Sequence, residues 1–216
     1  MLTRRNFVQT LVASLGSLAV PSYAEQYCGP PAQSAWGPFR RCAAEVPIDS
    51  VLALQDSQYQ SQWCWAACIS MIFAHYGHPV SQARIVSEVY GAPVDMPAGT
   101  GAILAQALNR SWKDDYNRIF QSRVTRAFDF DARFGNLSNE WMINELRQNR
   151  PFVMGARTHA MVVTKIVFDE GNYGIAVKEV GVVDPWPGIG LRSLAPDEMT
   201  PAPMGSFRFA ATVTVT

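Results

Sequence analysis

Apolar positions recur at helical spacing through the first two thirds of this chain and alternate along strands after Pro151. The clearest helix runs over residues 64–76, where Ser70 and His75 are the only clearly polar side chains, so it reads as buried on every side. Gly77 ends it, with Pro79 just beyond. Further helical patterns cover 81–90, 101–111 and 138–149; in the last, Ser138 or Asn139 stands as cap ahead of Trp141, Met142 and Leu146. Residues 51–54 read as a short strand or as the approach to the first long helix. The stretch 112–135 mixes charge with aromatics and follows no clear period. The expected strands are 152–156, 159–168, 173–183 and 207–215. Helices first and an antiparallel sheet second make an α+β fold.

The turn Asp169-Glu170-Gly171-Asn172 marks a hairpin. With Gly171-Asn172 as a two-residue loop, Glu170 pairs with Tyr173, and counting down both strands brings His159 opposite Asp184. Their Cβ atoms would then stand about 5 Å apart. The same register sets Lys165 against Lys178, which is unfavourable unless both reach solvent. A loop of four residues shifts the pairing by two and keeps His159 and Asp184 on one face.

That pairing matters because of Cys64, which stands where the apolar helix begins. A thiol in the first turn of a helix is acidified by the unpaired N–H groups there, and an imidazolium neighbour acidifies it further. His159 can be that neighbour, and Asp184 can hold the far ring nitrogen. Gln58, six residues before Cys64, can donate to an oxyanion together with the Cys64 backbone N–H. These residue types in this order predict a cysteine-nucleophile hydrolase. Cys68, one turn further into the helix, reads as core. His75 and His78 at the helix end complement its dipole better than they suggest a metal pair, and nothing calls for a metal or organic cofactor.

The chain's beginning adds a compartment. Thr3-Arg4-Arg5-Asn6-Phe7, a short mildly apolar stretch to Val20 and Ala24 as cleavage point fit an export signal over residues 1–24. The paired arginines resemble the twin-arginine type, so the mature protein is expected in the periplasm or outside the cell. Loss of that segment takes the formal charge from zero to slightly acidic. Such a balance argues for neither nucleic acid nor anionic membranes as partners. Residues 25–45 read as an irregular, Pro/Gly-rich extension able to cover a cleft, and residues 46–216 as one domain. Four cysteines in an exported chain first suggest two disulfides. Cys64 and Cys68 share one helix, a poor geometry for a bridge, which leaves Cys28 and Cys42 as the natural pair.

Gln58-x5-Cys64-Trp65-Ala66 is similar to the Gln-x5-Cys-Trp-Ala signature of papain-like cysteine peptidases, and Asp184-Pro185-Trp186 resembles their Asn-Ser-Trp. The wider pattern, Trp-Cys64-Trp-Ala-Ala-Cys, then His159-Ala-Met-Val-Val, then Val-Asp184-Pro, looks more like two compact bacterial branches. These are the double-glycine (bacteriocin-leader) peptidases and the papain-like effector peptidases of plant pathogens. The resemblance implies a papain-like fold, with the nucleophile helix packed on the sheet that bears His159 and Asp184. It also implies hydrolysis of peptide bonds through an acyl-enzyme on Cys64, with a peptide or protein as partner, and gives Trp65 and Trp186 supporting roles. Trp186 would shield the Asp184 hydrogen bond. The chain departs from papain in lacking its Cys-Gly-Ser-Cys context, which puts papain's substrate pockets in doubt.

Two other readings use the same residues. One is an amidase or transpeptidase acting on cell-wall peptides. The other is a binding module of the same fold, which would need no such combination of Cys64, His159 and Asp184. A thiol oxidoreductase is disfavoured because Cys64-x-x-x-Cys68 has the wrong spacing.

Overall fold

The computed structural model describes residues 25–216, so the export signal expected over residues 1–24 lies outside the described residues. Three strands come first: β1 (Glu25–Cys28), β2 (Ala32–Ser34) and β3 (Gly37–Glu45). Helices α1 (Ile48–Leu54), α2 (Cys64–His75), α3 (Gln82–Tyr90) and α4 (Gly101–Ala107) follow. Then come β4 (Arg110–Lys113), β5 (Ile119–Asp129) and α5 (Asn139–Arg147). The chain closes with β6 (Phe152–Ala156), β7 (His159–Gly171), β8 (Gly174–Asp184), β9 (Gly190–Ser193), α6 (Pro196–Met199) and β10 (Phe207–Val215). The fold is α+β, with a large antiparallel sheet, as expected.

Residues 25–45 correct the sequence reading. They are strands rather than an irregular extension, because Cys42, Ala43 and Ala44 are apolar enough to be buried against the sheet. β3 pairs with the far half of β7, Glu45 to Lys165 through Phe39 to Gly171. β6 pairs with the near half of the same β7 edge, Ala156 to His159 through Phe152 to Val163. One long strand therefore carries two neighbours end to end on one side and β8 on the other. Cys28 lies directly opposite Cys42 and the two are joined by a disulfide.

Other boundaries move for local reasons. Residues 51–54 belong to α1, which starts after Pro47, a residue whose fixed φ suits a helix entry. α4 stops at Ala107, and positions 110–111 go to β4. The stretch 112–135 supplies most of the β4–β5 hairpin; β5 alternates only partly because a bulge at Thr125 shifts its pairing with β10, leaving Thr125 and Arg126 both exposed. Ser138 caps α5, its hydroxyl accepting from Trp141 N at 3.3 Å.

α2 is apolar all round and sits between the sheet and helices α1 and α3: Trp65 through Ile69, and Met71 through Phe73, are buried. Gly77, at φ 80°, lets the chain leave the helix, and His78 N donates back to Phe73 O. β10 lies in the middle of the sheet, between β6 and β5. Among the described residues no helix is long and apolar enough to cross a membrane.

Candidate active site

The β7–β8 hairpin turns at Asn172-Tyr173, with Gly171 paired to Gly174, one residue later than the sequence suggested. Two register shifts follow, between Val167 and Phe168 and between Val163 and Lys165, in opposite senses. Each shift alone would turn the rest of the strand over; together they cancel. Val162 thus pairs with Val183, which leaves His159 and Asp184 on one face but diagonal rather than opposed. Lys165 meets Gly181 instead of Lys178 and reaches Glu45 at 3.5 Å, while Lys178 reaches Asp169 at 3.4 Å. The anticipated lysine clash does not arise.

His159 and Asp184 are joined by a 2.6 Å hydrogen bond between Nε2 and Oδ1. Cys64, the first residue of α2, lines the same cleft, close enough for its sulfur to act on the imidazole. Burial pulls the imidazole pKa down, but the bond to Asp184 and the nearby Cys64 sulfur outweigh it and raise it to about 9. Burial works against the Asp184 carboxylate too, yet the bonds from His159, Trp186 N and Arg192 bring it down to about 2. At neutral pH this is an imidazolium held between a carboxylate and a half-buried sulfur at a helix N-terminus. Cys68 is fully buried one turn away, and burial pushes its thiol well above the ordinary range.

Asp184 has a further partner that sequence reasoning missed. Arg192 on β9 donates Nε to Asp184 Oδ2 at 2.8 Å. Its two terminal nitrogens meet Glu198 Oε2 at 2.8 Å and Oε1 at 2.9 Å. Glu198, in turn, accepts from Ala195 N at 2.8 Å, which pins it in the first turn of α6. The chain of charges Glu198–Arg192–Asp184–His159 alternates in sign. The Pro196-Asp197-Glu198 run signals a helix start, but nothing in the sequence says that Glu198 faces an arginine on β9.

Gln58 sits differently from the expectation. It is buried and donates both amide hydrogens, to Gln60 O and Ser61 O, each at 2.9 Å. It is not among the residues lining the cleft, and its Oε1 is buried without a partner. Its backbone N donates to Pro185 O at 2.8 Å, tying the loop before Cys64 to the loop after Asp184. Trp65 is buried and its indole N–H holds Met96 O at 3.1 Å, so it fastens the cleft rim. Trp186 is half exposed in the cleft with its ring edge-on to His159, centroids 6.1 Å apart. His75 and His78 serve separate structural contacts: the first to Asn149 O, the second to Asp114 while stacked on Phe120. The Cys28–Cys42 bridge lies beside the far end of β7, and β3 leaves the cleft uncovered.

The cleft itself has a volume of about 1200 Å³, and Cys64, His159 and Trp186 line it. A family model, the Peptidase C39-like family, matches residues 50–193. The chain belongs to that family. It is a cysteine-type peptidase of the papain-like, double-glycine-peptidase-like group, acting on peptide substrates. Among solved structures it is similar to the peptidase domain of Streptococcus ComA, a bi-functional ABC transporter involved in a quorum sensing pathway. Identity there is 16%, over 74% of this chain and 96% of that one, with a TM-score of 0.42. No curated protein matches the chain.

Proposed function

We propose that this family member is an exported peptidase that cleaves peptide bonds with Cys64 as nucleophile, His159 as acid and base, and Asp184 as the group orienting the imidazole. The observation that carries the reading is His159 itself, bonded to Asp184 at 2.6 Å and lining one open cleft with Cys64. The Cys64 thiolate attacks the carbonyl carbon, and the π electrons move onto oxygen. His159 gives its proton to the leaving amine as the C–N bond breaks, leaving a thioester. Water then loses a proton to His159 and attacks the thioester, the C–S bond breaks, and the carboxylic product leaves.

The oxyanion faces the N-terminus of α2, where the Cys64 N–H is free of helix bonding. Gln58 becomes the second donor when its amide releases the Gln60 or Ser61 carbonyl. A bound oxyanion is the stronger acceptor for that N–H. Export to an oxidising compartment is supported by the Cys28–Cys42 disulfide together with the arginine pair near the start of the chain.

The test is iodoacetamide alkylation of the purified protein across pH, with the labelled residue located by mass spectrometry. Cys64 should be labelled fast, His159→Ala should slow that labelling sharply, and Cys68 should stay unlabelled. Labelling of Cys64 at the same rate in His159→Ala would overturn the activated-thiolate reading.

A further inference from the structure

The wall of the cleft away from Cys64 carries a charge that the proposed chemistry does not use. Asp129 ends β5, lines the cleft and is 8% exposed. Its Oδ1 accepts from Ala132 N at 3.0 Å and closes the turn that follows the strand. Its Oδ2 has no hydrogen-bond or ion-pair partner among the described residues. That oxygen lies against Gly101, also in the cleft wall, so closely that a Cβ there would come within 2.3 Å of it.

The two arginines of the cleft are already paired, Arg157 with Asp197 at 2.6 Å and Arg208 with Asp131. Asp129 is therefore a cleft carboxylate that neither of these arginines meets. A turn-capping role explains Oδ1 but not the free oxygen.

Register gives the distance. Ala160, Gly155, Phe209 and Asp129 are successive neighbours across β7, β6, β10 and β5, and all four line the cleft. Ala160 follows His159 directly. Three strand spacings of about 4.8 Å put Asp129 about 14 Å from the histidine strand, roughly four residues of extended peptide. Ala160 and Gly155 keep the near part of this trough shallow, Phe209 gives it an apolar floor, and Asp129 closes it.

We infer that Asp129 is a specificity determinant, receiving the ammonium or guanidinium of a substrate Lys or Arg about four residues from the cleaved bond. This rests on the function proposed above. The experiment compares decapeptides carrying Lys, Arg or norleucine at each position in turn. Hydrolysis is read with wild type, and binding is read with Cys64→Ala.

One position three to five residues from the cleavage site should favour the basic residue about 10–100-fold. In Asp129→Asn, which keeps an oxygen for Ala132 N, that ratio should fall to near one, with an unchanged melting temperature showing that the fold is intact. An unchanged ratio in Asp129→Asn, or no basic preference in either assay, overturns the inference. Failure of wild type to hydrolyse any peptide, with binding selectivity intact in Cys64→Ala, counts against the proposed function and leaves the subsite standing.

Discussion

Replacing Arg192 with methionine tests whether the group behind Asp184 does more than fill space. Methionine keeps the apolar stem and removes the cation that meets Asp184, Glu198 and the Met161 sulfur, leaving Glu198 without this counter-charge and Asp184 with His159 alone. Hydrogen bonds to charged groups contribute about 1.5–3 kcal/mol each. The guanidinium is only about a quarter exposed, so part of that gain is returned by solvent. A net loss of about 3 kcal/mol follows, which lowers the melting temperature by about 6–12 °C in a domain of this size.

The same substitution should move a titration. Arg192 and the His159 imidazolium share one carboxylate and stand roughly 7 Å apart, where like charges repel by about 0.6 kcal/mol in bulk water and about 2.4 kcal/mol at an effective dielectric of 20. Removing the guanidinium therefore raises the His159 pKa from about 9 by roughly 0.4–1.7 units. Asp184 rises at the same time from about 2. Imidazole carbon NMR reads this directly, because the chain has only 3 histidines. Arg192→Lys should restore most of the titration, since the charge remains, but not all of the stability, since the fork onto Glu198 is lost. If His159 titrates at the wild-type pH in Arg192→Met, or lower, the bracket is scaffold and the electrostatic argument fails.

Four further outcomes are expected. The folded-state pKa of His159 is raised to about 9 and that of Asp184 lowered to about 2. The stability from His159 is thus full below about pH 6.5 and lost as pH rises through 9. That from Asp184 is full above about pH 4 and lost as pH falls through 2. The melting difference between wild type and His159→Ala should peak between those limits. Gly101→Ala would bring a Cβ to 2.3 Å from Asp129 Oδ2 and 2.5 Å from Phe209 Cδ2; calorimetry should register about 1–3 kcal/mol of destabilisation. Serine at both Cys28 and Cys42 should cost about 3 kcal/mol by urea titration, with Cys64 alkylation unchanged because the bridge is remote from the cleft. Gln58→Ala should lower kcat by about 10²–10³; a loss smaller than tenfold would confine Gln58 to holding the Gln60–Ser61 turn.

What could be read from the sequence depended on how local the cause was. α2 was legible because an all-round apolar helix needs no partner to be recognised, and Ser138 announced α5 by capping chemistry. The nearness of His159 and Asp184 followed from hairpin counting. Their diagonal placement did not, because two bulges that cancel leave no trace in residue spacing. β3 was missed because its Pro/Gly-rich approach looks irregular and its partner lies more than a hundred residues later. Arg192 and Glu198 were missed although their partners are only 8 and 6 residues away. A charge on an edge strand and another on a short helix meet only through the fold. The orientation of the Gln58 amide was equally hidden, since spacing fixes where a side chain starts and not which carbonyls it finds.

The shared edge of β7 and the central place of β10 bear on how this protein should be handled at the bench. The family match stops at residue 193. Expression of residues 50–193 alone would strip β3 from the histidine strand and pull β10 from between β6 and β5. Three neighbouring strands would be left with bare backbone edges, and bare edges pair with whatever chain is nearest. The cooperative unit is at least residues 25–215, so inclusion bodies from a fragment cut at the match would report a wrong boundary rather than an unstable enzyme.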